Sequence, residues 1–408
     1  MALLTASPAG AGTDTGVVRS WGDDRFGQLG TGLPLTARAV AAGGYFSMAV
    51  DSKGTASEDD DTVVTWGDNR RGQWGNGVAC TKDSLGEEIN CSGAVPQTVL
   101  NVVGVHQADA GFYYGLALLT NGTVKAWGDN SFGQLGDGAA CTTPDSCSYE
   151  VAVTVKKADG SELTGIKAIA AGGYHALALD DNNTVWAWGY NGSGQLGVGD
   201  LANRNVATPV KTNATTTLTG VNAIAAGGFH SLGRTNGADA TAATTDDPIQ
   251  AWGDNASGQL GDGTTTNRSF PVTVGGSTPL LGMKAIAAGQ LHSLAIDPQG
   301  TTATTDDTAT AWGNNELGQL GDGTQTNSML PVNVADLIGI TDVAGGGFHS
   351  AAVAGGTAYG WGDNGSRQAD NTTAATLTAS PVKQIAGTNL TGVTDVDGGY
   401  IHTLALRP

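Results

Sequence analysis

The chain has 408 residues, 14% of them charged, and 19 Lys and Arg stand against 38 Asp and Glu for a net charge of −19. A folded surface that holds nucleic acid needs a cationic footprint against phosphate, so this balance argues against nucleic acid and anionic membrane partners. There is no Lys/Arg run, and no apolar run approaches the roughly 18 residues of a bilayer span.

Residues 1–15 read as a flexible leader. They lack a basic start, and the small residues around Ala9-Gly10-Ala11 resemble the tail end of a secretory signal, so a signal-peptide remnant is the expectation. From residue 16 to 408 the chain repeats itself. Trp-Gly recurs at Trp21, Trp66, Trp127, Trp188, Trp252, Trp312 and Trp361, spaced 45, 61, 61, 64, 60 and 49 residues apart. Self-similarity on this scale overrides the two or three domains that length alone suggests. Each Trp-Gly opens a loop such as Tyr190-Asn191-Gly192-Ser193-Gly194-Gln195-Leu196-Gly197, which leads to a short Pro-Val element such as Pro209-Val210. A segment of the type Ala168-Ile169-Ala170-Ala171-Gly172-Gly173-Tyr174-His175-Ala176-Leu177-Ala178-Leu179 follows. One unit therefore holds about four short strands with Gly-rich turns, the content of one propeller blade.

The two ends of the chain are complementary. Gly16 to Trp21 is a strand with no preceding partner, and His402 to Leu406 is a strand with no following one. In the internal copies these two strands form a hairpin, so the ends are expected to pair in a shared blade and remove the exposed edges. Only nine residues separate Pro34 from Gly43, against eighteen from Pro209 to Gly227, so the outer strand of the first copy is expected to be abbreviated.

Cys80 and Cys91 lie in the insertion after Trp66, and Cys141 and Cys147 in the equivalent place after Trp127. Two local pairs in equivalent loops predict disulfides Cys80–Cys91 and Cys141–Cys147, hence an oxidising compartment and a secreted protein. A zinc site is disfavoured because neither pair has the two-to-four-residue spacing of metal ligands. Acidic insertions at Ser57–Asp61, 240–247 and 301–307 could offer carboxylates to calcium, but the Asp-x-Asp-x-Asp-Gly pattern is missing.

Trp-Gly-x-Asn-x-x-Gly-Gln-Leu-Gly followed by Ala-Ala-Gly-Gly-x-His-x-Leu-Ala-Leu resembles the regulator of chromosome condensation repeat. The resemblance runs from residue 16 to 406 in seven copies. It implies an all-β, seven-bladed propeller of four-stranded blades, closed by its N- and C-terminal strands. In style the chain is closest to secreted bacterial members such as the β-lactamase-inhibitor propellers. The copies depart locally: Trp74 stands for the Leu, and the last loop reads Arg367-Gln368-Ala369-Asp370.

Five histidines share one repeat position, namely His175, His230, His292, His349 and His402, where Phe46 and Tyr114 take the place in two copies. A position that accepts Phe and Tyr behaves as packing, and the resemblance implies a structural histidine. No nucleophile elbow, zinc-protease helix or phosphate loop is present, so no catalytic residue, cofactor or metal is expected. The residue before the histidine position is bulky throughout: Tyr45, Tyr113, Tyr174, Phe229, Leu291, Phe348 and Ile401. With Phe46 and Tyr114 these residues predict an apolar ring on one face. The inhibitor propellers resembled here carry aromatics at this position and grip their partner with them. The plant photoreceptor of the family has Trp-Arg where this chain has Gly173-Tyr174, which argues against light sensing. A second candidate patch is Arg25, Phe26, Arg70, Arg71 and Trp74 beside the Gly-Gln loops, since Arg and aromatics dominate binding hot spots. The expected protein is a secreted, monomeric, non-enzymatic binding module with a protein partner, and inhibition of an extracellular enzyme is one expected role. Guanine-nucleotide exchange by fold analogy, or a carbohydrate-binding or enzymatic propeller, are the alternatives.

Overall fold

The structure, a computed structural model, describes residues 9–10, 16–31, 35–83, 86–141, 147–237, 246–301, 303–384 and 386–408. Its described residues form seven antiparallel blades, a separate two-stranded sheet of Thr81–Lys82 with Glu88–Ile89, and no helix, so none of them lies in a helix long and apolar enough to cross a membrane. From inner to outer strand, blade 1 is Ala37–Ala42, Phe46–Asp51, Thr62–Asp68 and Ser92–Val103. Blade 2 is Val105–Ala110, Tyr114–Leu119, Val124–Asp129 and Ser148–Thr154. Blade 3 is Ile166–Ala171, His175–Asp180, Val185–Gly189 and Arg204–Pro209, and blade 4 is Val221–Ala226, His230–Thr235, Ile249–Gly253 and Arg268–Thr273. Blade 5 is Ala285–Ala288, His292–Asp297, Thr308–Gly313 and Ser328–Asn333, and blade 6 is Ile340–Gly345, His349–Ala354, Thr357–Gly362 and Thr376–Pro381.

Blade 7 closes the ring. Asp395–Gly398 and His402–Arg407 come from the C-terminus, and Val17–Gly22 from the N-terminus pairs in register from Val17 opposite Arg407 to Gly22 opposite His402. This sheet has three strands, not four: six residues join Gly30 to Ala37, too few for the outer strand the other blades possess. Of the leader, Ala9–Gly10 forms a two-residue strand on the inner edge of blade 2, and the rest lies outside the described residues.

The core sits between blades. The seven Trp-Gly indoles are buried, and Trp252 of blade 4 packs on Leu177, Leu179 and Val185 of blade 3. Each such ring contributes on the order of 3–5 kcal/mol, the usual cost of truncating a buried aromatic. The indole also clasps: Trp188 Nε1 donates to the Gln134 carbonyl of the preceding blade at 2.9 Å, and Trp312 does the same to Gln259.

Around the axis the Gly-Gly turns bond blade to blade. Gly173 N donates to Gly227 O, Gly228 N to Gly289 O, Gln290 N to Gly346 O, Gly347 N to Gly399 O and Tyr400 N to Gly43 O. Gly44 N to Gly111 O and Phe112 N to Gly173 O complete a circle of seven junctions. A Cβ on Gly172 would stand 2.6 Å from Gly227 O, so the close approach itself demands glycine. The Trp-Gly glycines answer a different need, since all seven hold a positive φ, as at Gly189 (100°). In the degenerate last loop Arg367 adopts φ 66°, a left-handed conformation that the other copies give to glycine.

Both predicted disulfides are present, Cys80–Cys91 with a Cα separation of 4.4 Å and Cys141–Cys147 with 5.4 Å. The acidic insertions supply buried partners. Asp61 pairs with Arg38 at 2.5 Å, Asp307 with Lys284 at 2.7 Å, and Asp247 accepts from Asn222 and from the Gly237 amide.

Candidate protein-binding face

The histidines are fully buried struts between neighbouring blades. His175 Nε2 meets Ser231 Oγ at 2.9 Å, and the pattern repeats from His230 to Ser293, His292 to Ser350, His349 to Thr403 and His402 to Ser47. Each hydroxyl has one proton and donates it to a loop carbonyl, as Ser231 does to Gln195 O at 2.8 Å. The imidazole must therefore be the donor, which fixes the neutral Nε2–H form. Burial holds His175, His230 and His349 down at about 3 and His292 and His402 at about 4. They are packing.

Phe46 and Tyr114 occupy the same buried position and are corrections to the expected binding set: neither is exposed at all. A side chain at that position points between blades, away from the face. Tyr114 Oη donates to the carbonyls of Gly172 and His175 in blade 3. Trp74 is corrected likewise. It is buried, its ring lies over Gly93, and its Nε1 donates to Gly67 O at 3.2 Å.

One residue earlier the backbone turns outward, so Tyr45, Tyr113, Tyr174, Phe229 and Phe348 are half-buried and open onto one face. They touch one another. Tyr113 stands 6.2 Å from Tyr45 and 6.3 Å from Tyr174, which is 6.3 Å from Phe229. Burial, then the neighbouring Tyr174 and Tyr45, push the Tyr113 phenol up to about 12. Because the third strand of each blade ends beside the start of the second, the Gly-Gln loops lie on this same face. The two patches expected from sequence are therefore one surface. Phe26 packs edge-on to Tyr45 at 5.5 Å, and the Arg70 guanidinium sits 4.3 Å over Phe26. Arg25 and Arg71 are exposed beside it, Arg25 held by Asp23 at 2.8 Å.

Four further rings complete the surface. Phe112 and Tyr400 precede the ring position by one residue, where four blades have glycine. They meet at 5.9 Å over the axis; Phe112 reaches Tyr174 at 5.3 Å and Tyr400 reaches Phe348 at 5.9 Å. Phe112 lies over Gly173, where a Cβ would come within 2.7 Å of it. Phe132 and Tyr190, 4.9 Å apart, extend the surface outward on blades 2 and 3. Tyr190 breaks a repeat column that is otherwise Asp or Asn, Phe112 and Tyr400 stand in a column that is mostly glycine, and Phe132 shares a variable column with Phe26. With Gly44 and Gln290, the central rings enclose a depression of about 250 Å³. At the ring position blade 5 contributes Leu291 and blade 6 Phe348.

This face displaces a structural bond. In five loops the glutamine amide donates to the acid or amide after Trp-Gly, as Gln134 does to Asp129 at 2.7 Å. Tyr190 replaces that acid in blade 3, and in blade 1 Arg70 occupies both oxygens of Asp68 at 2.8 and 3.1 Å. The Nε2 atoms of Gln195 and Gln73 are left buried without a partner among the described residues.

Residues 37–73, 105–134 and 166–195, and again 121–179, 182–233, 250–296 and 310–353, match the regulator of chromosome condensation repeat, and together they span more than half of the chain. The chain belongs to that repeat family. It is similar to the probable E3 ubiquitin-protein ligase HERC6 of Homo sapiens, 29% identical over 73% of this chain and 27% of that protein. It is also similar to the ultraviolet-B receptor UVR8 of Arabidopsis thaliana, 31% identical over 69% of this chain and 58% of the receptor. The chain thus spans well under two thirds of either relative. Among solved structures, human WBSCR16 aligns with TM-score 0.72 at 19% identity over 96% of this chain and 98% of its own. Prp20p of Saccharomyces cerevisiae, studied for its binding to Gsp1p and histones, aligns with TM-score 0.71 at 21% identity over 100% and 95%. These two establish the propeller. The family members and the face together mark the chain as a protein-interaction module.

Proposed function

We propose that this chain is a secreted, rigid protein-binding module whose aromatic face holds a protruding apolar segment of an extracellular enzyme and inhibits it. The observation that carries the reading is the connected set of ten half-buried rings on one face, gathered on blades 1 to 4 with Phe348 of blade 6 and Tyr400 and Phe26 of blade 7. A soluble protein rarely leaves such a patch uncovered without use. Two buried glutamine amides give up their partners where this face is built, which is the kind of local cost that a functional site imposes. The two disulfides and the acidic net charge fit secretion. The reading assigns the chain no chemistry, nucleic acid, membrane or cofactor.

The test is capture from the source's culture medium with the unaltered chain, Tyr174→Ala and Phe229→Ala, with urea denaturation of the same samples. Each substitution is expected to weaken capture of the same protein by about 2 kcal/mol or more. Stability should fall by much less than the 3–5 kcal/mol typical of a core aromatic. Equal capture by all three, or core-sized stability losses, would move the working surface elsewhere.

A further inference from the structure

Among the described residues the closing blade shows no fourth strand, where its six siblings each have one. Along Val17–Gly22 one edge pairs with His402–Arg407, while the other has no strand among the described residues. A groove of about 550 Å³ runs beside that edge, lined by Val18, Arg19 and Trp21 on one wall and Val382, Lys383 and Leu390 on the other.

We propose that this groove accepts an extended acidic peptide segment of a partner protein, which adds to the edge as the missing fourth strand. The siblings supply the template. Two residues before the tryptophan, the third strand faces an outer-strand residue in every complete blade: Val64 opposite Thr98, Lys125 opposite Thr154, Trp186 opposite Pro209, Gln250 opposite Thr273, Thr310 opposite Asn333 and Tyr359 opposite Pro381. In blade 7 that residue is Arg19, which is exposed, pairs with Ala405 on the inner side and has no outer-strand residue opposite it among the described residues. Strand addition satisfies an open edge with main-chain hydrogen bonds and reads alternate side chains.

Charge selects the occupant. In a chain with twice as many carboxylates as cations, this groove is lined by Arg19 and Lys383 and, among the described residues, by no Asp or Glu. An acidic side chain placed opposite Arg19 forms a cross-strand ion pair, and a basic one meets like charge. The competing role for Arg19 is to guard the edge against any pairing, as charged residues on edge strands do. The two roles differ in outcome: a guard repels every strand, whereas a receptor binds one kind.

The probe is a fluorescent peptide of sequence Ser-Ser-Phe-Pro-Val-Glu-Val, which follows residues 268–274 of blade 4 with Ser for Arg268, to keep the probe acidic, and Glu where Thr273 faces Gln250. Titrated against the full chain, it should bind saturably, and the same peptide with Lys for Glu should bind about tenfold more weakly. Arg19→Glu combined with Lys383→Glu should invert that preference at an unchanged melting temperature, and Lys383→Glu alone should narrow it. Tyr174→Ala should leave binding intact. No saturable binding of either peptide, equal binding of both, insensitivity to charge reversal, or loss in Tyr174→Ala would each overturn the proposal.

Discussion

Blades 1 and 2 and blades 3 to 7 are cut from the same repeat but joined to the next blade differently. From blade 3 onward each junction is a His–Ser or His–Thr bond between second strands, and the last returns from His402 to Ser47. The blade 1 junction puts Phe46 toward blade 2, whose serine position is Gly115; the blade 2 junction puts Tyr114 toward blade 3, where the position is Ala176. At the first junction donor and acceptor are lost together, and at the second the Tyr114 hydroxyl turns to the backbone carbonyls of Gly172 and His175. The difference shows that the histidine column is a set of interchangeable struts, each matched to its neighbour. The same two blades carry both disulfides, Arg70, Arg71, Tyr113 and Phe132, so the least regular part of the ring is also the most elaborated part of the face.

The harshest way to test whether the junctions share the load is to remove one. Deleting through Trp21 takes away the closing strand and the indole that packs against Val353, Val382 and Leu390. That variant should lose cooperative melting, whereas deletion of residues 1–15 should barely move the melting temperature. Equal melting of the two in differential scanning calorimetry would contradict closure by the chain ends.

Acid attacks the five histidine junctions and spares the two aromatic ones. The histidines are held neutral at about 3 to 4 against an unfolded value near 6.5, so the unfolded chain binds more protons below pH 6.5. Their stabilisation is full above about pH 6.5 and is lost as pH falls toward 4. Two axial carboxylates act in the opposite sense. Burial raises Asp109 to about 7 and Asp397 well above the usual range, so their contribution is present at low pH and lost as pH rises. Five protons against two leaves a net uptake of about three, a slope of at most about 4 kcal/mol per pH unit between pH 6.5 and 4. Urea denaturation at pH 7 and pH 5 reads it; a midpoint that does not fall with pH would refute the strut assignment.

The ring of seven, the terminal closure and both disulfides were legible because each rests on columns of identical residues. The short distance between Pro34 and Gly43 predicted an abbreviated outer strand in the closing blade, and the described residues go further and show none there. What the sequence could not separate was two adjacent bulky positions, Tyr45-Phe46 and Tyr113-Tyr114. Period-two alternation sends one outward and one inward, but only the bond from Tyr114 to Gly172 decides which. That the Arg25–Arg71 loops and the pre-histidine ring share one face also needed the strand directions. Phe112 and Tyr400 were hidden because their column is mostly glycine and reads as backbone.

Reducing both disulfides should be milder than acid. Each closes a short local loop on blades 1 and 2, with separations of 11 and 6 residues, so each should contribute about 2–3 kcal/mol and leave the propeller folded. Intact mass before and after alkylation should report no free thiol in the untreated protein. Cross-linking between the two loops would break the expected pairing.

The smallest effect is the most informative about the comparison itself. His230→Phe places in blade 4 the residue blade 1 uses, but it faces Ser293 instead of glycine and forfeits a buried hydrogen bond, at a cost of about 1–3 kcal/mol. Adding Ser293→Gly recreates the Phe46–Gly115 pairing and should recover a good part of that loss, less the roughly 0.5–1 kcal/mol that glycine costs in a strand. The reverse exchange should fail. Phe46→His buries an Nε2–H with no acceptor, and Gly115→Ser cannot supply one, because a Cβ there would stand 2.4 Å from the Trp127 ring. A double-mutant cycle by urea denaturation at pH 7 measures both directions. Additive losses in the forward pair, or full rescue in the reverse pair, would mean that the junction types are not the matched alternatives that their side chains describe.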